Sequence, residues 1–431
     1  MKREIQNFEA LAGNDLRRDA LAIAEAGYAA INVGATLENG LRIENDELRI
    51  GGMAYRLPGR RVFFIGVGKC AFAAAVAVED ILGDRLTGGI ALDVSFIEGR
   101  APSKIETYIG THPLPSEVNE NATKRVMEFL SECHEDDLVL MLISGGGSAL
   151  LCLHEASTTY SDEIILFKEL TARGATIRDI NTVRKHTSRA RGGALAKAAY
   201  PAEVVSLIIS DIPGDDIAFI ASGPTVLDSS TVEDARAVLE KYGVTAPVTI
   251  EFLETPKEQK YFKKVTNMLF LTNQNALSAM RDEALRRGYT ATIIDDHFAG
   301  EASAFGRTIV EKLHSAPTRT ALLYAGESTV TLSSARHGAG GRNQEMALAA
   351  LNDLHEDELI LPFASDGHDN TDHAGAIGDS TTRAHALMRK LSIAEYLDDH
   401  RAYDFFTATG DALVTGYTGS NVSDLIIALK K

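Results

Sequence analysis

Several short clusters along the chain set anion- or proton-handling groups beside glycines. Gly66-Val67-Gly68-Lys69-Cys70-Ala71 puts an ammonium at a Gly-x-Gly turn, where it suits phosphoryl oxygens as a point charge. Ser144-Gly145-Gly146-Gly147-Ser148 offers backbone N–H groups without Cβ interference, and two hydroxyls, as a cradle for phosphate. Asp211 with Asp215 and Asp216, and Asp366 with Asp369 and Asp372, supply carboxylates. One of these would orient or deprotonate a hydroxyl, and one or two suffice to hold Mg²⁺ together with substrate phosphates. Arg336–Glu345 reads R-H-G-A-G-G-R-N-Q-E, with Arg342 at the opening of a helix. A guanidinium there sits against the helix dipole and asks for an anion, either a transferring phosphoryl group or a substrate carboxylate.

Each cluster has a second reading. Gly66–Ala71 also satisfies G-x-G-x-x-[GA], so dinucleotide binding stays open, with Asp93 as the ribose partner. Walker A is absent, because Gly68-Lys69 lacks the upstream glycine and Cys70 replaces the Ser/Thr that would reach magnesium. The protein-kinase motifs are absent too. His368 and His373 hint at a transition metal, without the helical His/Glu spacing that would support one. His112, between Thr111 and Pro113, either fixes a turn or contacts substrate. The basic trio Arg184-Lys185-His186 is a candidate for a substrate carboxylate. Asn275 and Glu327, in Thr272–Asn275 and Ala325–Ser328, are candidates for nucleotide or phosphate contact. No nucleophilic triad is evident.

The elements that must position these groups are apolar runs. Leu138–Ile143 is bounded by acids before it and glycines after it, as a strand buried on both faces of a parallel sheet would be. Similar runs at 61–65, 89–94, 107–110, 203–210, 268–271, 290–294, 320–324, 359–363 and 425–429 alternate with helical stretches. A long helix is expected over 5–35 and a small hairpin over 41–57. Alternation of this kind calls for an α/β fold with parallel sheets, whose ligands collect beyond the carboxyl ends of the strands. Lys69, His112, Ser144, Asp211, Asn273, Glu327 and Asp366 all fall just after such runs. With 431 residues, two domains are expected, and the proline-bearing stretch 243–264 is the candidate boundary. A net charge of −17 argues against nucleic acid or an anionic membrane as partner. Three scattered cysteines, an N-terminus without a signal-like apolar stretch and no run of spanning length point to the cytoplasm.

Taken together, these pieces resemble the type II (MOFRL-type) glycerate 2-kinases. The resemblance rests on G-V-G-K (66–69), T-H-P-L-P (111–115), I-S-G-G-G-S-A-L-L (143–151), I-N-T-V-R-K-H (180–186) and S-D-I-P-G-D-D (210–216). It continues through A-S-G-P-T (221–225), G-A-G-G-R-N-Q-E (338–345), S-D-G-H-D-N-T-D-H-A-G-A (365–376) and T-G-Y-T-G-S-N-V-S-D-L (415–425). Cys70 and Ala325 stand where the family usually has alanine and glycine, and Ser365 and Asn370 replace Thr and Gly; no charged group is lost. The resemblance implies ATP- and Mg²⁺-dependent phosphorylation of D-glycerate to 2-phosphoglycerate, with Lys69 and Arg342 as the catalytic pair. It further implies a Rossmann-like parallel-sheet N-terminal domain (1–245), a smaller α/β C-terminal domain (246–431) and a cleft between them, and it admits a homodimer. Asp211 is the expected orienting carboxylate, Asp366 or Asp369 the metal ligand. NAD(P)-dependent reduction of hydroxypyruvate is the alternative activity.

Overall fold

Sequence runs of Val, Leu and Ile too apolar for a solvated face become the strands of two main sheets, one in each of two compact units. The structure, a computed structural model, describes residues 3–96, 100–212, 214–247, 249–332 and 338–431. Pro213 of the S-D-I-P-G-D-D motif and Arg336-His337 of the glycine-rich approach to Arg342 lie outside the described residues. One unit comprises Val33–Asp211 and Asp215–Leu271; the other comprises Met1–Asn32, Ile212–Gly214 and Thr272–Lys431.

The first unit begins its sheet structure with an antiparallel meander of three strands, β1 (Leu41–Glu44), β2 (Glu47–Ile50) and β3 (Met53–Arg56), one strand more than the expected hairpin. Asn45 and Asp46 take positive φ in the first turn and Gly51 and Gly52 in the second, which lets each turn close in two residues. The main sheet follows: β4 (Val62–Val67), β5 (Leu86–Asp93), β6 (Ile105–Ile109), β7 (Leu138–Ile143), β8 (Glu203–Ile209) and β9 (Val265–Leu271). All neighbours are parallel, in the order β6-β5-β4-β7-β8-β9. Every residue of β4 and of β7 is buried, which accounts for their unbroken apolar sequences. Each large aliphatic side chain so buried contributes about 1.5–3 kcal/mol. Because β9 is the sixth strand of this sheet, the break between units falls at Leu271, beyond the 245/246 boundary expected from the prolines.

The second unit holds a mixed sheet of β10 (Thr290–Glu301), β11 (Thr320–Thr329), β12 (Glu358–Ala364), β13 (Gly375–Ala376), β14 (Gly378–Asp379), β15 (Ala412–Leu413) and β16 (Asp424–Lys430). Its order is β10-β11-β16-β12-β13-β15, with β14 paired to β12. β10 and β11 are parallel, and β16 runs antiparallel to both of its neighbours, β11 and β12. The run expected at 320–324 continues through Ala325–Ser328 as one strand, β11, which ends at Thr329 and pairs along β10. Phe298, Tyr324, Met346, Ile360 and Ile426 pack in one core of this unit.

The long N-terminal helix is broken into Phe8–Leu11, Asp15–Ile31 and Val33–Gly40. Asn14 caps the middle piece by accepting from the Arg17 amide, and Asn32 ends it in an extended conformation. That middle helix belongs to the second unit. Arg17, 3% exposed, pairs with Asp379 at 2.6 Å and with Asp411 at 2.7 Å. Among the described residues no single helix is long and apolar enough to cross a membrane.

Candidate active site

The strand order of the first unit reverses between β4 and β7: the chain moves outward to β5 and β6 on one side, and to β8 and β9 on the other. Such a switch point opens a crevice at the carboxyl ends of the two central strands. The two glycine turns occupy this place, Gly68-Lys69 after β4, which itself ends in Gly66-Val67, and Ser144–Ser148 after β7. Their backbones interlock, with the Lys69 amide donating to Gly145 O at 2.9 Å and the Ser144 amide to Val67 O at 2.9 Å. Gly68 has φ +117, and a Cβ there would lie 2.2 Å from Ser144 Oγ, so only glycine fits. Ser144 is wholly buried, its hydroxyl accepting from the Cys70 amide at 3.2 Å. It locks the turns together instead of facing a ligand.

Gly146 (φ +83) marks where the functional groups meet. A Cβ on it would sit 3.3 Å from Lys69 Cγ and 3.4 Å from the His112 ring. Three segments far apart in sequence therefore converge: Lys69, the Gly145–Gly147 turn and the exposed His112 that follows β6. Among the described residues the amides of Gly145, Gly146 and Ser148 donate to no backbone carbonyl. The helix after the turn, Gly147–Leu150, is a single turn. An anion placed here would meet local amides and Lys69, with little from a helix dipole. Asp211, half-buried, lies at the carboxyl end of β8, the neighbour of β7.

Two supports were not foreseen. Asn119, wholly buried, accepts from the Thr111 amide at 2.7 Å and donates to the carbonyls of Thr111 and Ala149, both at 2.9 Å, tying the His112 loop to the glycine turn. Ala221 and Ser222 adopt positive φ (50° and 60°), and a Cβ on Gly147 would lie 2.5 Å from that of Ala221. Successive left-handed residues cost about 1–3 kcal/mol each and persist where surroundings over-determine them. Here Ser222 Oγ lies 2.9 Å from Ser148 Oγ and 2.8 Å from Asn181 Oδ1.

Other expected contacts turn inward. Asp93, 1% exposed, accepts from the Phe72 amide at 2.8 Å and the Val94 amide at 2.6 Å, so its carboxylate braces the helix Ala71–Leu82 and is not presented to a ribose. The basic trio is also spent within its unit. Lys185 pairs with Asp228 at 3.0 Å, and the buried His186 has Nδ1 2.7 Å from Leu253 O and Nε2 3.1 Å from Ser230 Oγ. Arg184 lies over the Phe167 ring, and burial pushes its guanidinium down to about 10 despite Glu163 beside it. Packing of the helix Ile177–Lys185 against its own unit removes all three from the candidate site.

In the second unit, the carboxyl ends of β11 and β12 flank the amino end of β16, whose first residue, Asp424, is the register partner of Gly326 and of Ala364. Arg342 opens the helix Arg342–Ala350 and meets this place from the side. Its Nε donates to Asp424 and its Nη2 to Glu327, with a second contact to Asp424 at 3.4 Å. Burial works against the guanidinium, but Asp424 and Glu327 outweigh it and hold its pKa above the ordinary value. Burial pushes the Asp424 carboxyl up to about 7, opposed by Arg342 and aided by Glu327 and Asp369. Asp424 was missed from sequence; the signal available was its place at the mouth of the last apolar run.

Asp369 is 3% exposed, and its oxygens accept from the amides of Asn343 (3.0 Å) and Gln344 (2.8 Å) and from both side-chain amides. A Cβ on Gly341 would lie 2.0 Å from Asp369 O, so glycine is required for this approach. Asp369 is therefore the anchor of the helix that carries Arg342, which corrects its assignment to a metal. Asp366, two residues beyond Ala364, is half-buried and accepts from the His368 amide at 3.0 Å. Asn275 is exposed and caps its own helix, accepting from the Thr272 amide at 3.0 Å. His368 stacks with Tyr417, His373 Nδ1 lies 3.1 Å from Gln344 Oε1, and neither belongs to a three-ligand cluster among the described residues.

Two family models match the chain: a domain of unknown function (DUF4147) over residues 19–254 and the MOFRL family over 320–424. The glycerate 2-kinase of Pyrococcus horikoshii is 34% identical, with 96% of this chain and 97% of that protein aligned. The chain belongs to the MOFRL-type glycerate kinase family. A glycerate kinase of Thermotoga maritima has the same fold in a crystal structure, with a TM-score of 0.82 at 32% identity over 96% of this chain and 99% of that one. Names within the glycerate kinase family are not uniform. A relative in Agrobacterium vitis, 38% identical over 85% of this chain and 87% of its own length, carries the name of a hydroxypyruvate reductase.

Proposed function

We propose that this protein is a glycerate 2-kinase that transfers the γ-phosphoryl group of ATP to the 2-hydroxyl of D-glycerate, giving 2-phosphoglycerate and ADP. The observation that carries the reading is the meeting of Lys69 and His112 at the Gly145–Gly147 turn, on the switch point of a parallel sheet. An ammonium beside unengaged amides suits a polyphosphate, and relatives over nearly the whole chain are named glycerate kinases.

Phosphoryl transfer asks the protein mainly for positioning and charge neutralisation. The Gly145, Gly146 and Ser148 amides hold phosphate oxygens, Lys69 neutralises charge on them, and Arg342 is the catalytic cation of the second unit. His112 contacts glycerate. Asp211 orients the 2-hydroxyl and accepts its proton as the oxygen attacks phosphorus in line and the bond to the departing ADP oxygen breaks. A divalent cation fits the second unit, where Glu327 and Asp424 set two carboxylates against the one Arg342 guanidinium. Asp366 and Glu327 would hold Mg²⁺, whose chemistry there is to neutralise phosphate oxygens. We place the reaction in the cytoplasm, in keeping with three buried cysteines, none in a disulfide.

The hydroxypyruvate reductase reading is favoured by the names of two relatives in Agrobacterium vitis and opposed by the inward turn of Asp93. Incubation with ATP, Mg²⁺ and D-glycerate, read by phosphorus NMR, separates the two. A 2-phosphoglycerate signal is the expected product. NADH oxidation with hydroxypyruvate, and no phosphorylated product, would reverse the assignment.

A further inference from the structure

We infer that Asp424 is the positioning residue of Arg342: it fixes the direction of the guanidinium so that the edge left over faces the incoming phosphoryl group. The inference rests on the kinase reading for the identity of that group. Arg342 starts a helix, where the backbone dipole disfavours a cation, and it sits on a flexible stem. Something must hold the guanidinium before substrate arrives. Two carboxylates touch it, and they differ in the quality of hold they offer. Glu327 has a side chain 49% exposed; Asp424 has one only 3% exposed.

Asp424 is also the more firmly placed of the two. It is the first residue of β16 and is paired across to β11 on one side and β12 on the other, so its backbone is fixed from both flanks. Its carboxylate takes Nε and also reaches Nη2, the side-on mode that fixes a guanidinium plane. Glu327 takes Nη2. Among the described residues Nη1 makes no hydrogen bond, and Arg342 lines a cavity of about 470 Å³ with Ser328, Gly340, Gly341 and His400. Asp369 completes the arrangement by anchoring the first turn of the same helix through the Asn343 and Gln344 amides. The guanidinium is thereby held from the buried side, leaving one edge for a ligand. Asp424 touches no reacting atom in this scheme; it acts through Arg342.

The test is a double-mutant cycle on the full chain. Asp424→Asn should lower kcat at least about tenfold, while KM for glycerate and for ATP stays within about threefold, the pattern of an interaction made only in the transition state. On an Arg342→Lys background, Asp424→Asn should add no further loss. Asp424→Ser is made alongside, in case the asparagine amide destabilises the fold next to the guanidinium. In protein carrying isotopically labelled arginine, the Arg342 Nε–H resonance, assigned by its loss in Arg342→Lys, should be protected from exchange in the wild type and unprotected in Asp424→Asn. Unchanged kcat, multiplying losses, or a resonance equally protected in both proteins overturns the inference. A wild type that makes no phosphoglycerate refutes the kinase reading alone, since the resonance still reports whether Asp424 holds Arg342.

Discussion

At the switch point of the first unit the groups brought together are backbone amides, one lysine and one exposed histidine. At the sheet end of the second unit they are an arginine and several carboxylates. The first place is made by geometry: Gly68 and Gly146 hold positive φ, and the backbone approaches its neighbours closely enough to exclude Cβ atoms. The second is made by opposed charges, with a guanidinium at a helix start balanced against Asp424 and Glu327. A backbone site should tolerate pH and fail on added methyl groups. A charge site should tolerate small changes of shape and fail on lost or protonated groups.

The largest expected effect is common to both places. Lys69→Ala and Arg342→Ala should each lower kcat by about 10²–10⁴-fold with unfolding midpoints near wild type, as removal of one charge-stabilising group does. If both serve one transferring group, the double variant should lose much less than the product of the single losses. Full multiplication would assign them separate tasks.

Next comes acid. Glu163 in the first unit is fully buried, and although burial opposes it, Arg191 and His154 hold its carboxyl down to about 2 from an ordinary value of 4.5. The unfolded chain takes up that proton first as pH falls, so this ion pair contributes on the order of 3 kcal/mol above pH 4.5, lost progressively between pH 4.5 and 2. Asp424 has the opposite sign. With its folded carboxyl at about 7, the native second unit binds the proton first, so acidification from pH 7 towards 4 stabilises that unit while loosening Asp424 from Arg342. Hydrogen exchange of peptides from each unit, corrected for the intrinsic pH dependence, should show the second unit protected more and the first unchanged between pH 7 and 5. Parallel behaviour of the two would break the comparison.

The smallest effect separates the glycines. Gly146→Ala should cost about 1–3 kcal/mol, for its φ of +83°, and lower activity by crowding Lys69. Gly340→Ala, where a Cβ would meet Ala402 at an ordinary 3.4 Å, should stay within about 0.5 kcal/mol of wild type. Equal losses from the two would mean that the glycine-rich approach to Arg342 is as geometrically demanding as the turn after β7.

Much of this was legible in the residues. β4 and β7 are apolar without interruption and end in glycines, which is enough to place two turns side by side in a parallel sheet. What could not be read was the direction in which a polar side chain turns. Asp93, Asp369 and Asn275 follow or precede strands as a ligand-binding residue would, yet each has its oxygen on a backbone amide, a choice set by packing. Lys185 and His186 looked like a free basic patch because their partners, Asp228, Ser230 and Leu253, lie 42 or more residues later. The length of β11 was obscured by Ala325-Gly326, read as a loop; Gly326 in fact passes close against the Phe298 backbone within the sheet.

The placement of Arg17 carries a consequence for how the chain is made. The Arg17 guanidinium is translated 362 residues before Asp379 and 394 before Asp411, its two counterions. Until then the helix Asp15–Ile31 carries an uncompensated cation, while all the strands of the first unit have already emerged. The order of synthesis therefore favours the unit Val33–Leu271 as the first to assemble, and the emergence of Asp379 and Asp411 as the event that neutralises Arg17.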